Sequence, residues 1–224
     1  MDLANTRVLL TSGPTRANLD AVRYVANRSS GRLGRTIAVE LLQRGARVTM
    51  VAGPDSAVPD TTCGLDLAAL QLVRIETVDD LVEALRTCLH AKQPPQVIIH
   101  AMAVLDYVPE APDTRKTPSG RDMWEVRLVR SPKVIRLIRD WAPEACLVQF
   151  KLEVGLDDNA LRQAATGSMR SNRADLCVAN DLSRIRDEVH PALIVGPDGA
   201  VLARPGTKTR IATALCDVLA GLPG

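Results

Sequence analysis

Aromatic side chains are scarce in this chain. One Phe, two Tyr and two Trp make up 2% of its 224 residues. With so few rings, stacking of bases on an aromatic platform is not its main business. Charge of one sign is lacking too. Lys and Arg number 28 against 26 Asp and Glu, a net +2, and no basic run stands out, so no nucleic-acid partner is indicated. No apolar run approaches the roughly eighteen residues of a membrane span, and no secretory leader is read before Val8. Cys63, Cys88, Cys146, Cys177 and Cys216 stand apart with no C-x-x-C; Cys146, Cys177 and Cys216 sit in apolar segments and read as small buried hydrophobes in a reducing compartment. His90, His100 and His190 lack the spacing of a zinc site. The expectation is a cytoplasmic protein that engages neither membrane nor nucleic acid. What is present is ordinary for a globular chain, 46% hydrophobic and 24% charged, and long enough to bury a sizeable core.

The organising stretch runs from Val8 to Gly53. Val8, Leu9 and Leu10 form a short apolar run that stops at Ser12-Gly13-Pro14, which reads as a buried strand ending in a turn. A long polar loop follows and closes on Ser29-Ser30-Gly31-Arg32-Leu33-Gly34. Ile37, Leu41 and Leu42 then recur at helical spacing, Gly45 supplies a stop, and Arg47 to Val51 is a second strand. The whole is a βαβ unit. A glycine-rich turn at a helix N-terminus offers free N–H groups and the positive end of the dipole to a phosphate. Gly31 would let a ligand approach the backbone, and Gly34 would let the helix pack close to the sheet. The pattern is not G-x-G-x-x-G, because Ser29 holds the first glycine place and the loop is too long for a dinucleotide fold. The simpler reading is a helix start with Ser29 or Ser30 as N-cap.

The loop itself adds information. Thr15, Arg16, Asp20, Arg23, Asn27, Arg28, Ser29 and Ser30 crowd beside a strand's carboxyl end, the edge at which open α/β sheets bind ligands. Its arginines and Asn27 suit a carboxylate or phosphate. The run TSGPTRANLDAVRYVANRSSGRLG resembles the signature loop of phosphopantothenoylcysteine synthetases, also called phosphopantothenate–cysteine ligases. The resemblance extends from Val8 to about Leu219.

Further along, Leu72 to Ile75 reads as a strand. Thr77-Val78-Asp79-Asp80 has the form of a capping box before the helical stripe Leu81, Val82, Leu85, Leu89. Val97 to Val104 is a continuous apolar run, expected to be a central strand buried on both faces. It leads into AMAVLDY, and the resemblance assigns Ala101 and Asp106 to the nucleotide, with Asp106 also near the metal. Residues 108–122 carry four prolines or glycines with Arg115, Lys116 and Arg121, and a mobile flap is expected over about 108–130. The family carries a lysine here that contacts the triphosphate. Counting from Asp106 places Lys116 on it, while counting back from Ser119-Gly120 places Arg115; Lys116 is favoured.

Trp124 to Leu128 alternates like a strand, and Ser131-Pro132 reads as N-cap and first helical position before Val134, Leu137, Ile138 and Trp141. Cys146 to Phe150 is a buried strand. The FKLE that closes it resembles a family motif in which Phe150 flanks the base and Lys151 and Glu153 lie near the nucleotide. Asp157 to Asn172 is a helix, with Ser168 and Asn172 where bacterial relatives place phosphate-binding lysines. Asp175 to Val178 is a strand that ends in the family's V-A-N-D, with Asn180 at its carboxyl end. Ala192 to Val195 and Ala200 to Ala203 read as a hairpin, and Thr207 caps a last helix with Ile211, Leu215, Val218 and Leu222 inward.

The expected fold is a doubly wound α/β domain over 1–224, with a mostly parallel Rossmann-like sheet, a flap and a β-hairpin. The resemblance implies a ligase of coenzyme A biosynthesis. It would join cysteine to 4′-phosphopantothenate through an acyl-nucleotide, with Mg²⁺ and CTP or ATP, CTP being expected first. Asn27 and Lys116 would be catalytic. Ser30, Gly31, Gly34, Ala101, Asp106, Phe150, Lys151, Glu153 and Asn180 would bind the nucleotide, and Thr15, Arg16, Arg23 and Arg28 the substrate. The resemblance further implies a homodimer that exchanges flap strands. No flavin is expected, since the decarboxylase half fused in many relatives is not seen. Two other readings stand: a diverged member that binds a nucleotide without ligating, and an NAD(P)-dependent oxidoreductase. The second predicts a tight glycine loop and an acid after the second strand, where Val51-Ala52-Gly53 stands instead.

Overall fold

A computed structural model describes residues 2–120 and 122–222, so Arg121 lies outside the described residues. Five parallel strands build the middle of the molecule, and each was visible as an apolar run. They are β1 (Arg7–Ser12), β4 (Arg47–Ala52), β6 (Val97–His100), β9 (Cys146–Glu153) and β10 (Leu176–Asp181). Edge strand β5 (Leu70–Arg74) continues the parallel set beyond β4, and β11 (Ala192–Val195) and β12 (Val201–Ala203) complete the far side antiparallel. The order is β12-β11-β10-β9-β6-β1-β4-β5. The expected hairpin therefore extends the main sheet. From β1 the chain winds outward through β4 and β5, then returns to β6 on the other side of β1. That reversal is the switch point at which a doubly wound sheet opens a crevice.

Helices cover both faces. On one face α1 (Arg32–Gln43) packs beside α5 (Lys208–Ala220), burying Ile37, Ala38 and Leu41 with Ile211, Leu215 and Leu219 against Leu10, Met50 and Ile99. On the other lie α2 (Val78–Leu89), α3 (Val134–Trp141) and α4 (Asp158–Asn172), with Leu81, Leu85 and Ile138 over Leu9, Ile98 and Leu147. Each such aliphatic side chain taken fully from water contributes about 1.5–3 kcal/mol. The capping box of α2 forms as its residues require: Asp80 N–H donates to Thr77 Oγ1 at 3.1 Å and Thr77 N–H to Asp80 Oδ2 at 2.9 Å.

The structure departs from the sequence reading at several places, each with a local cause. The polar loop holds a short antiparallel pair, β2 (Arg16–Asn18) with β3 (Tyr24–Ala26). The N-cap of α1 is Gly31 at φ +70°, with no side-chain cap from Ser29 or Ser30. Strand β6 stops at His100. Ala101 N–H and Ala103 N–H still donate to Thr11 O and Gly13 O, but pairing with β9 ends at His100 opposite Gln149. In the flap, β7 (Tyr107–Pro109) pairs with β8 (Leu128–Arg130), so the strand expected from Trp124 begins only at Leu128. Helix α3 starts after Lys133, because the Ser131 hydroxyl donates to Leu105 O and caps nothing.

Candidate functional site

The sequence pointed to two places at the carboxyl edge of the sheet, the turn before α1 and the strand ends beyond β6, and close packing fills the notch at the first. Between the end of β1 and the start of α1, Ser56 seats itself in the notch. A Cβ added to Gly13 would stand 1.7 Å from Ser56 Oγ, and one added to Gly31 would stand 2.9 Å from Ser56 Cβ. Ala57 N–H donates to Ser30 O at 3.0 Å, which locks the Pro54–Val58 segment over the turn. The glycines serve this packing, since Ser56 stands where their Cβ atoms would be. Gly34 sits as expected against the sheet, where an added Cβ would be 2.0 Å from Ser12 Oγ. A pyrophosphate at the N-terminus of α1 would need the space that Ser56 fills, which counts against the dinucleotide oxidoreductase.

The open place lies over the ends of β6 and β9, a cleft of about 640 Å³ between the start of α3 and the last turns of α4. The hairpin of β2 and β3 delivers Asn27 and Arg28 to its rim. Asn27 Nδ2 donates to Ala103 O at 3.3 Å and Val104 O at 3.0 Å, which fixes the amide over the segment after β6. Asp106 and Lys133 face each other across the mouth at 3.1 Å, both largely exposed. Phe150 and Lys151 line the β9 side, and Lys151 pairs with Glu153 at 2.9 Å. Among the described residues lining the cleft, basic side chains outnumber carboxylates, with Arg28, Lys133 and Lys151 against Asp106 alone, so the cleft attracts anions.

His100 and Gln149 form the floor. Thr11 Oγ1 accepts from Met102 N–H at 3.4 Å and makes a hydrogen bond of 2.8 Å with His100 Nδ1. Burial, with Lys133 adding its charge, pushes His100 down to about 4, so the ring stays neutral. Gln149 is buried, and its Oε1 accepts from Asn172 Nδ2 at 2.8 Å, with Ser168 Oγ 3.3 Å from the same nitrogen. Ser168 and Asn172 therefore line the cleft and offer hydroxyl and amide chemistry where the family resemblance led to expect lysine.

The remaining expected residues stand outside this cleft. Thr15 is fully buried and its hydroxyl accepts from Leu105 N–H at 3.0 Å. Arg16 pairs with Asp55 and lies over Tyr24, 4.1 Å from the ring centre. Arg23 pairs with Asp20 at 2.7 Å. Ala101 is half-buried against the α1 side of the core. Asn180 is buried, with Nδ2 3.1 Å from His190 Nε2. Lys116 is exposed on the flap and does not line the cleft. Sequence reasoning missed Lys133, His100 and Gln149 as site residues. His100 and Gln149 were open to the strand-end rule that found their neighbours, while Lys133 carries no local signal.

Burial pushes the thiols of Cys146, Cys177 and Cys216 up to about 12, which keeps these three protonated. Among the described residues no group of three or more His, Cys, Asp or Glu could hold a metal, and no helix is long and apolar enough to cross a membrane.

Comparison with known proteins adds a further finding. The family described as DNA/pantothenate metabolism flavoprotein C-terminal domain matches residues 3–222. The chain is similar to the coenzyme A biosynthesis bifunctional protein CoaBC of Thermococcus kodakarensis, 34% identical over 215 residues that cover 96% of this chain and 51% of that protein. Its similarity to the protein of the same name from Escherichia coli is 31% over 189 residues, covering 82% and 43%. The chain thus spans about half the length of the curated relatives it matches. The crystal structure of the DNA/pantothenate metabolism flavoprotein from Streptococcus pneumoniae superimposes with a TM-score of 0.85 at 29% identity, covering 96% of this chain and 98% of that one.

Proposed function

The chain belongs to the DNA/pantothenate metabolism flavoprotein C-terminal domain family, and from that premise we propose that it ligates cysteine to 4′-phosphopantothenate in coenzyme A biosynthesis. In this reading residues 1–224 act as one nucleotide-binding synthetase domain, in the cytoplasm and as a homodimer. One observation carries it. The notch beside Gly13 and Gly31 is filled by Ser56, while the open cleft over the ends of β6 and β9 gathers Asn27, Arg28, Asp106, Lys133 and Lys151. Basic side chains beside neutral donors suit a nucleoside triphosphate and an acid substrate, because the reaction needs charge neutralisation and alignment more than a protein nucleophile.

A carboxylate oxygen of 4′-phosphopantothenate attacks the α-phosphorus, a P–O bond forms, and pyrophosphate leaves. The cysteine amine then attacks the acyl carbon. A C–N bond forms, the nucleoside monophosphate leaves, and the amine proton passes to solvent. Arg28 and Lys133 hold the phosphates, and Lys116 joins them from the flap. Asn27, held by the Ala103 and Val104 carbonyls, orients the acyl group. Asp106, a single exposed carboxylate at the mouth, fits Mg²⁺, which takes one or two carboxylates plus phosphate oxygens. Bound there with the nucleotide, Mg²⁺ supplies further neutralisation of the triphosphate.

The test is pyrophosphate release with 4′-phosphopantothenate, cysteine and Mg²⁺, comparing CTP with ATP. Release that depends on 4′-phosphopantothenate is expected, faster with CTP. Folded protein that releases none with either nucleotide overturns the reading. Ser168 and Asn172 favour one alternative, a member that binds the nucleotide without turnover. Saturable nucleotide binding with no pyrophosphate would identify it.

A further inference from the structure

The turn between β2 and β3 holds a carboxylate with an unusual number of partners. The Asp20 side chain is wholly buried. Its Oδ1 accepts from the N–H groups of Val22 and Arg23 at 2.8 and 2.7 Å. Its Oδ2 accepts from Arg23 Nη1 at 2.7 Å and, across 97 residues of sequence, from Thr117 N–H at 3.1 Å. Arg23 Nη1 also donates to Thr117 O at 3.3 Å, and its guanidinium lies over Trp124, 5.2 Å from the ring centre. Asp113 N–H donates to Leu19 O at 3.0 Å in the same region. Thr117 is thereby buried within a flap whose neighbouring residues are exposed, and Lys116 directly precedes it.

Two oxygens thus meet four donors, and two of those donors make the β2–β3 turn itself. Burial raises the Asp20 carboxyl, but the three backbone donors and Arg23 outweigh it and hold it at about 2. The group is therefore charged at any working pH. The same hairpin that carries Asn27 to the cleft grips the flap at its other end.

We infer that Asp20 is a positioning residue: through the Thr117 N–H it latches the flap to the β2–β3 turn and so determines where Lys116 stands. This rests on the ligase reading for the role of Lys116, but not for the latch.

Asp20→Asn separates the two duties. Its amide oxygen still accepts from Val22 and Arg23 N–H, which keeps the turn. Its NH₂ faces Thr117 N–H and Arg23 Nη1, donor against donor, which loosens the flap at Thr117 while Asp113 N–H still holds Leu19 O. Trypsin should cleave after Lys116 about tenfold faster in the variant, since cleavage follows the open population. In pyrophosphate release, Asp20→Asn should lower kcat by roughly 10- to 100-fold with KM for 4′-phosphopantothenate little changed, the cost of a misplaced group. In a Lys116→Ala background it should lower kcat by less than about twofold, because the two changes act on one step. On the wild-type chain, Thr117 amide hydrogen should exchange more slowly than that of Lys116, which needs no variant to fold. Equal exchange at Thr117 and Lys116, or unchanged trypsin cleavage, overturns the latch. A kcat loss as large without Lys116 as with it overturns the positioning role. If the wild type releases no pyrophosphate, the ligase reading fails while exchange and proteolysis still judge the latch.

Discussion

His100 makes the stability of this protein depend on pH in a way the structure lets one work out. Burial, helped by the charge of Lys133, moves the ring from an ordinary 6.5 to about 4. In the unfolded chain the ring takes up a proton as pH falls through 6.5; in the folded protein it does so only near 4. Above about pH 6.5 both states hold it neutral and nothing is lost. Between 6.5 and 4 the unfolded state binds the extra proton, and stability falls. The fall is about 1.4 kcal/mol for each pH unit in that window, so the full loss is about 3 kcal/mol, of which about 2 kcal/mol is lost by pH 5. His190, also buried and near 4, adds a parallel loss and serves as background. His100→Asn keeps an amide where Nδ1 meets the Thr11 hydroxyl but cannot titrate. Urea unfolding of both proteins from pH 7.5 to 5 is the assay. The wild type should lose about 2 kcal/mol more than the variant over that range. If the two curves fall in parallel, the ring is not held neutral in the folded state and the reasoning about the cleft floor fails.

Two further outcomes concern packing. Gly34→Ala forces a Cβ to within 2.0 Å of Ser12 Oγ; overpacking costs about 1–3 kcal/mol, offset by about 1 kcal/mol of helix propensity. A net loss should appear as a lower denaturation midpoint, and adding Ser12→Gly should cost less in this variant than in the wild type. Arg139 is buried, pairs with Asp175 at 2.5 Å and donates to the carbonyls of Pro143, Ala145 and Arg173. Arg139→Met leaves these acceptors unpaired and should destabilise by about 3–5 kcal/mol in urea unfolding. Arg139→Lys should recover little, since an ammonium cannot reach all of them at once.

The amino-acid sequence determined what is local or periodic. The apolar runs of β1, β4, β6, β9 and β10 specify buried parallel strands by their composition. The Thr77–Asp80 capping box and the β11–β12 hairpin follow from residues within a few positions of each other. The loop that carries Asn27 and Arg28, and the Phe150-Lys151 motif, were legible because strand ends in such a sheet face one edge, and the cleft unites them. Tertiary structure alone decided which part of that edge is open. Ser56 closes the notch beside Gly13 and Gly31 from outside their βαβ turn, and a clash of one hydroxyl with a missing Cβ leaves no trace in local pattern. The same holds for Ser131, whose hydroxyl finds Leu105 O instead of capping α3, for Lys133, which meets Asp106 only once the flap returns, and for Asp20, whose Thr117 partner is 97 residues away. Periodicity records which face of an element is buried. Which distant groups then meet depends on how the chain closes on itself, and that is set by the packed core as a whole.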